Sequence, residues 1–183
     1  ILGSSSPRRA KLLNKLGIKF TVETSNDMES FSEELKGIKI AEFLALQKAE
    51  SILKKISSNY LLITADTIVV INDTVLHKPK DRKQAIKTLK MLSGKTHKVI
   101  TGVCIKSKEK EVIFSSTSFV KFNKLTDKEI LFYITKFNPF DKAGAYGIQE
   151  WIGNMAIEKI NGSYNNIVGL PTSKLYQKLK LFI

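Results

Sequence analysis

The run from Tyr60 to Ile71 is apolar almost throughout, and Asp66 interrupts it with hydrophobic residues on both sides and no turn former beside it. A carboxylate in such a place must be paired, bound to a metal or neutralised, because desolvating it alone is costly. A bulge or strand-end aspartate bonded to backbone is one reading. The scarcity of other polar groups over twelve residues favours a site residue, with Thr67 lining the same pocket or facing the opposite way.

A second concentration of chemistry opens the chain. Ser4, Ser5, Ser6, Pro7, Arg8 and Arg9 combine three hydroxyls, two guanidinium forks and, if a helix starts at Pro7, a set of free backbone N–H groups. That combination suits a polyphosphate. Lys48 is placed by Leu44, Ala45 and Ile52 on the apolar face of a helix, where a lysine either snorkels or serves a site. Lys78 precedes Pro79, which holds it extended. Glu29 stands among Asp27, Glu33 and Glu34 and reads alone as a solvated acidic loop; with Asp66 it becomes a candidate second oxygen ligand for Mg²⁺.

Other signals fail. Gly94, Lys95 and Thr96 look like the end of a phosphate-binding P-loop, but the first glycine of that motif would fall at Leu89. His77 and His97 are too isolated for a histidine metal centre, and no Gly-x-Ser-x-Gly elbow is present. Cys104 lies in an apolar strand and reads as core.

These residues need elements to carry them. Ile1 to Gly3 reads as a strand end, with a helix from Pro7 to about Lys15 capped by Ser6. A strand near Phe20 to Thr24 leads into a polar loop from Ser25 to Gly37, and residues 39–56 show helical periodicity. Tyr60 to Ile71 is a long strand. Asp81 caps a helix ending at Ser93 and Gly94, strands follow at about 97–106 and 111–122, and Thr126 starts a helix to Phe137. The stretch from Asn138 to Ile167 reads as glycine-rich and irregular, and Thr172 to Leu181 as a closing helix. Alternating strands and helices with some adjacent strands predict a mixed α/β sheet.

Composition bounds the partners. At 183 residues, 43% hydrophobic and 26% charged, the chain can bury a core as one domain or two small lobes, and without repeats or linkers it is read as a single domain, 1–183. Its apolar runs are far shorter than the roughly 20 residues that cross a bilayer, so no membrane partner is expected. One cysteine excludes an internal disulfide framework and multi-cysteine zinc, and a cytoplasmic location is expected. The net charge of +13 invites a nucleic-acid reading. Against it, only Arg8, Arg9 and Arg82 are arginines, and lysine is dispersed over every segment, so a solvated surface is the better account.

In order, Ser4-x-Ser6-Pro7-Arg8-Arg9, Leu46-Gln47-Lys48-Ala49, Ala65-Asp66-Thr67, Lys78-Pro79, Leu92-Ser93-Gly94-Lys95-Thr96-His97, the block from Asp141 to Gln149, and Gly169-Leu170-Pro171 resemble the Maf family of nucleotide pyrophosphatases. The resemblance spans the whole chain. It implies an elongated α/β fold, a mixed twisted sheet flanked by helices, related to the inosine-triphosphate pyrophosphatases. It also implies a divalent cation, Mg²⁺ or Mn²⁺, a homodimer, and cytoplasmic house-cleaning cleavage of a nucleoside triphosphate to monophosphate and pyrophosphate. The Gly147-Ile148-Gln149 ending resembles the branch acting on dTTP and UTP rather than 7-methyl-GTP, with modified pyrimidine nucleotides as further substrates. Glu150 stands where the family commonly has glycine.

The roles that follow are these. Asp66 is general base or metal ligand, and Glu29 helps to hold the cation. Arg8, Arg9, Lys48 and Lys78 balance phosphate charge, Ser4 and Ser6 donate hydrogen bonds, and Thr67 and Gln149 contact base or ribose. The rival is a nucleotide- or nucleic-acid-binding regulator linked to cell division that does not hydrolyse. Asp66 argues against it, because a carboxylate beside phosphates serves little purpose without a metal between them.

Overall fold

The computed structural model describes residues 1–24, 30–32, 34–57 and 59–182. Much of the predicted loop from Ser25 to Gly37, including Glu29, lies outside them. Strands β1 (Leu2–Gly3), β2 (Val22–Glu23), β3 (Leu62–Ile71), β4 (Thr74–Leu76), β5 (Thr96–Lys106), β6 (Glu111–Phe122) and β7 (Ile157–Asn161) form a mixed sheet ordered β2-β1-β3-β5-β6-β7, with β4 paired to β3. The helices are α1 (Pro7–Asn14), α2 (Ile38–Leu53), α3 (Arg82–Leu92), α4 (Asp127–Phe137), α5 (Trp151–Ala156), α6 (Tyr164–Val168) and α7 (Thr172–Leu179), with short 3₁₀ turns between and after them.

The chain resolves into two compact units. The first comprises Ile1–Thr67, Ile100–Ser116 and Asn165–Ile183; the second comprises Ile68–Val99 and Thr117–Tyr164. In the first, β1 pairs in parallel with both β2 and β3, Leu2 standing opposite Val22 and Ile63. Parallel neighbours require a crossover, and α1 supplies it between β1 and β2. Leu12 and Leu13 of α1 and Leu175 and Leu179 of α7 close on Leu2, Ile63, Val103 and Leu170. Full burial of each such leucine contributes roughly 1.5–3 kcal/mol. Cys104 sits in the neighbouring cluster with Ala45, Ala49, Ile52 and Leu62, and burial pushes its thiol up to about 12, as an inert core residue requires.

In the second unit β3 turns into β4 through Asn72 and Asp73, both with positive φ (47° and 61°). Two successive left-handed residues make the tight hairpin turn whose twist matches the strands, and Asn and Asp tolerate that conformation. Strand β4 is not among the strands expected from the sequence. Helix α3 starts as expected, Asp81 accepting from Gln84 N at 2.7 Å, and α4 begins in a complete capping box between Thr126 and Glu129.

The stretch predicted as irregular from Asn138 to Ile167 instead holds two 3₁₀ turns, α5, β7 and most of α6. Gly153, one of the glycines of this stretch, lies inside α5, where an added Cβ would come within 1.7 Å of Ile148 O. Its job is close approach.

His97 is buried in this unit against Phe122 and Tyr146, its Nε2 2.8 Å from Tyr146 Oη and its Nδ1 without a hydrogen-bond partner among the described residues. Burial lowers its pKa from 6.5 to about 4. The unfolded chain therefore binds a proton at higher pH than the folded one, and the stabilisation present above pH 6.5 is lost as pH falls toward 4. We expect the unfolding free energy in urea to drop by about 2 kcal/mol more between pH 7 and pH 5 than in His97→Asn. Equal slopes for the two proteins would contradict a buried neutral imidazole.

Candidate active site

The opening loop is built as its residue types dictate. Ser6 caps α1, its Oγ accepting from Arg9 N at 3.4 Å, and Pro7 occupies the first turn. That turn holds no acidic residue, so the positive end of the helix and the two arginines reinforce each other. Ser4 Oγ accepts from Ser6 N at 3.3 Å and from Arg9 Nη1 at 3.1 Å. With both lone pairs engaged, its own hydrogen is what it has left to offer an anion.

Arg9 is held at the two other nitrogens of its planar fork as well. Nε donates to Gly169 O at 2.8 Å, and Nη2 donates to Thr67 Oγ1 at 3.0 Å. The residue after Asp66 is thus an anchor for Arg9. Arg8, beside it, is half-buried.

Asp66 is buried within β3, and Lys48 Nζ bonds its Oδ1. Two contacts bring them together. Gly102 of β5 lets α2 lie directly on the sheet, since an added Cβ there would meet Ala41 O at 2.2 Å. Thr64 Oγ1 then donates to Ala45 O at 2.6 Å, fixing α2 along β3. Lys48 follows Ala45 by three residues and faces the same strand. Its ammonium offsets a carboxylate charge that the side chain's 10% exposure would otherwise leave poorly solvated.

The remaining candidates are placed as follows. Thr67 is half-buried, bonded to Arg9 and, at 2.9 Å, to Thr101 Oγ1. Lys78 and Gln149 are exposed residues of the second unit, in the loop between β4 and α3 and in the turn before α5. Glu29 lies outside the described residues. Glu150 is turned inward: its carboxylate accepts from Tyr133 Oη and, at 3.0 Å, from Lys142 Nζ, while Gly147 N donates to Tyr133 Oη at 3.0 Å. Burial, with the Glu150 bond, raises the Tyr133 pKa far above its ordinary value and keeps the phenol a donor. The unusual glutamate therefore pins its own turn. Thr101 and Tyr133 are not singled out by the sequence, and Gly169 and Lys142 stand in it only as members of the motif blocks, without a role at the site.

Among the described residues no three His, Cys, Asp or Glu side chains cluster. One buried carboxylate is a donor of the kind that a hard cation such as Mg²⁺ takes, since that ion keeps most of its waters and uses one or two carboxylates with substrate oxygens.

The first crossover helix of this α/β sheet begins in a cationic, hydroxyl-rich loop, and the adjoining parallel strand carries a lysine-paired carboxylate; donors of this kind can take an anion such as a polyphosphate. The model of the Maf-like protein family matches residues 1–182, and the chain belongs to that family. It is 49% identical to a dTTP/UTP pyrophosphatase of Parabacteroides distasonis over 100% of this chain and 95% of that one. It is 48% identical to the dTTP/UTP pyrophosphatase of Christiangramia forsetii over 98% of this chain and 92% of the relative. A third, from Porphyromonas gingivalis, is 46% identical over 100% and 93% of the two chains.

Proposed function

We propose that this chain is a nucleoside triphosphate pyrophosphatase that cleaves dTTP and UTP to the monophosphate and pyrophosphate. The observation that carries the reading is the Arg9–Thr67 bond of 3.0 Å, which fastens the cationic loop to the residue next to the buried, lysine-paired Asp66. The cationic loop is thereby fixed to the strand that carries the carboxylate. Relatives at 46% to 49% identity bearing the name dTTP/UTP pyrophosphatase support the choice of substrate.

Arg8, Arg9 and the hydroxyls of Ser4 and Ser6 bind and orient the triphosphate. Asp66 takes a proton from the attacking water as its oxygen bonds to phosphorus; the anhydride between the α- and β-phosphates breaks, and pyrophosphate leaves with the electron pair. Lys48 holds the Asp66 side chain in place. A divalent cation, Mg²⁺ or Mn²⁺, held by Asp66 and Glu29, would neutralise charge that develops on the phosphate oxygens. Gln149 is the candidate reader of the pyrimidine edge, and Lys78 a further phosphate cation. A reducing, cytoplasmic setting suits the lone buried thiol.

Product analysis tests this. Incubated with Mg²⁺, the protein should release pyrophosphate and monophosphate in equal amounts from dTTP and UTP, faster than from dCTP or dGTP, and EDTA should stop it. Tight nucleotide binding without pyrophosphate release would instead establish the regulatory alternative.

A further inference from the structure

We propose that Thr101, a fully buried residue of β5, is a positioning residue that orients the Arg9 guanidinium; the proposal rests on reading the Arg9 loop as the phosphate grip. Thr101 Oγ1 donates to Asn166 O at 3.0 Å. A carbonyl only accepts, so the single hydrogen of Thr101 is engaged there. The 2.9 Å contact between Thr101 Oγ1 and Thr67 Oγ1 must then take its hydrogen from Thr67. Thr67 Oγ1 in turn accepts from Arg9 Nη2 at 3.0 Å.

The direction is thus set along the whole chain, from Arg9 through Thr67 and Thr101 to the Asn166 carbonyl, and bonds aligned head to tail strengthen one another. The same short segment closes a ring. Gly169 N donates to Asn166 O at 3.1 Å, and Gly169 O accepts from Arg9 Nε at 2.8 Å. One edge of the guanidinium is tied to this segment directly and another through two threonines, so the plane cannot rotate without breaking a link. For Thr67 the hydrogen is turned inward, and its part is to hold Arg9 rather than to donate to a nucleotide.

A valine at position 101 fills nearly the same volume and leaves the Thr67 hydrogen without its acceptor. Titration calorimetry with inorganic tripolyphosphate and dTTP kinetics, both in magnesium buffer, read the effect. Thr101→Val should weaken tripolyphosphate binding and raise KM for dTTP about tenfold, with kcat within about threefold of wild type. Thr101→Ser, which keeps the hydroxyl, should restore both to within about twofold. In an Arg9→Lys background no fork remains to be oriented, and Thr101→Val should add less than about twofold.

Unchanged affinity in Thr101→Val, failure of serine to rescue, or a full additional loss in the Arg9→Lys background overturns the proposal. If Thr101→Val does not fold, Thr67→Val cuts the same chain one bond earlier and is read by the same non-additivity with Arg9→Lys. A wild-type protein that binds no tripolyphosphate overturns the phosphate reading of the loop and this proposal with it, whereas equal binding by wild type and Thr101→Val removes Thr101 alone.

Discussion

Asp66→Asn is expected to lower dTTP turnover by about 10²- to 10⁴-fold, the contribution of a positioned general base, while the protein still binds triphosphate. The amide keeps an oxygen for Lys48 but can neither take a full proton nor bring negative charge to a cation. Steady-state kinetics with pyrophosphate detection, alongside tripolyphosphate titration, separate the two effects. Wild-type turnover in Asp66→Asn would remove Asp66 from the chemistry and leave the buried ion pair as a structural feature only.

Lys48→Met should act on stability as well as on activity. Removing the ammonium leaves the Asp66 carboxylate without its ion-pair partner inside β3, where exposure of the aspartate side chain is only 10%, and a broken buried pair costs about 3–5 kcal/mol. Urea unfolding should show that loss. The double variant Lys48→Met with Asp66→Asn has no carboxylate left to strand, so most of the stability should return while turnover stays low. If the double variant were as unstable as Lys48→Met alone, packing of the lysine stem rather than charge pairing would be the cause.

How much of this was legible in the sequence depends on the range over which each feature is determined. Ser6, Asp81 and Thr126 marked their helices correctly because a cap bonds a backbone N–H only three residues away. Asp66, Lys48 and Arg9 stood out because each is at odds with its own surroundings. Strand β4 was missed although Asn72 and Asp73 are turn formers, since neither is the glycine that usually announces a two-residue hairpin. Helix α5 and strand β7 were missed for two reasons: Glu150 gives α5 no side-chain cap, and Ile157 and Ile160 are three apart, out of step with a strand's period of two.

The partners of Arg9 were not legible at all. Thr101 looks like any threonine in an apolar strand, and its bonds to Thr67 and Asn166 join residues 34 and 65 positions away. Only the pairing of β3 with β5 and the docking of α6 bring such groups together. The inward turn of Glu150 is of the same kind, set by Tyr133 from 17 residues upstream on α4.

The bond between Arg9 and Gly169 spans 160 residues, and it has a consequence for how the protein is made. On the ribosome, both segments of the second unit, ending at Tyr164, emerge before the last segment of the first. The Arg9 fork therefore waits, with β1 and α1 already synthesised, until Asn166 and Gly169 appear. A nascent chain that has not reached Asn166 and Gly169 carries the cationic loop without its clamp. Contacts of such long range also slow folding, because loop closure must precede the reward.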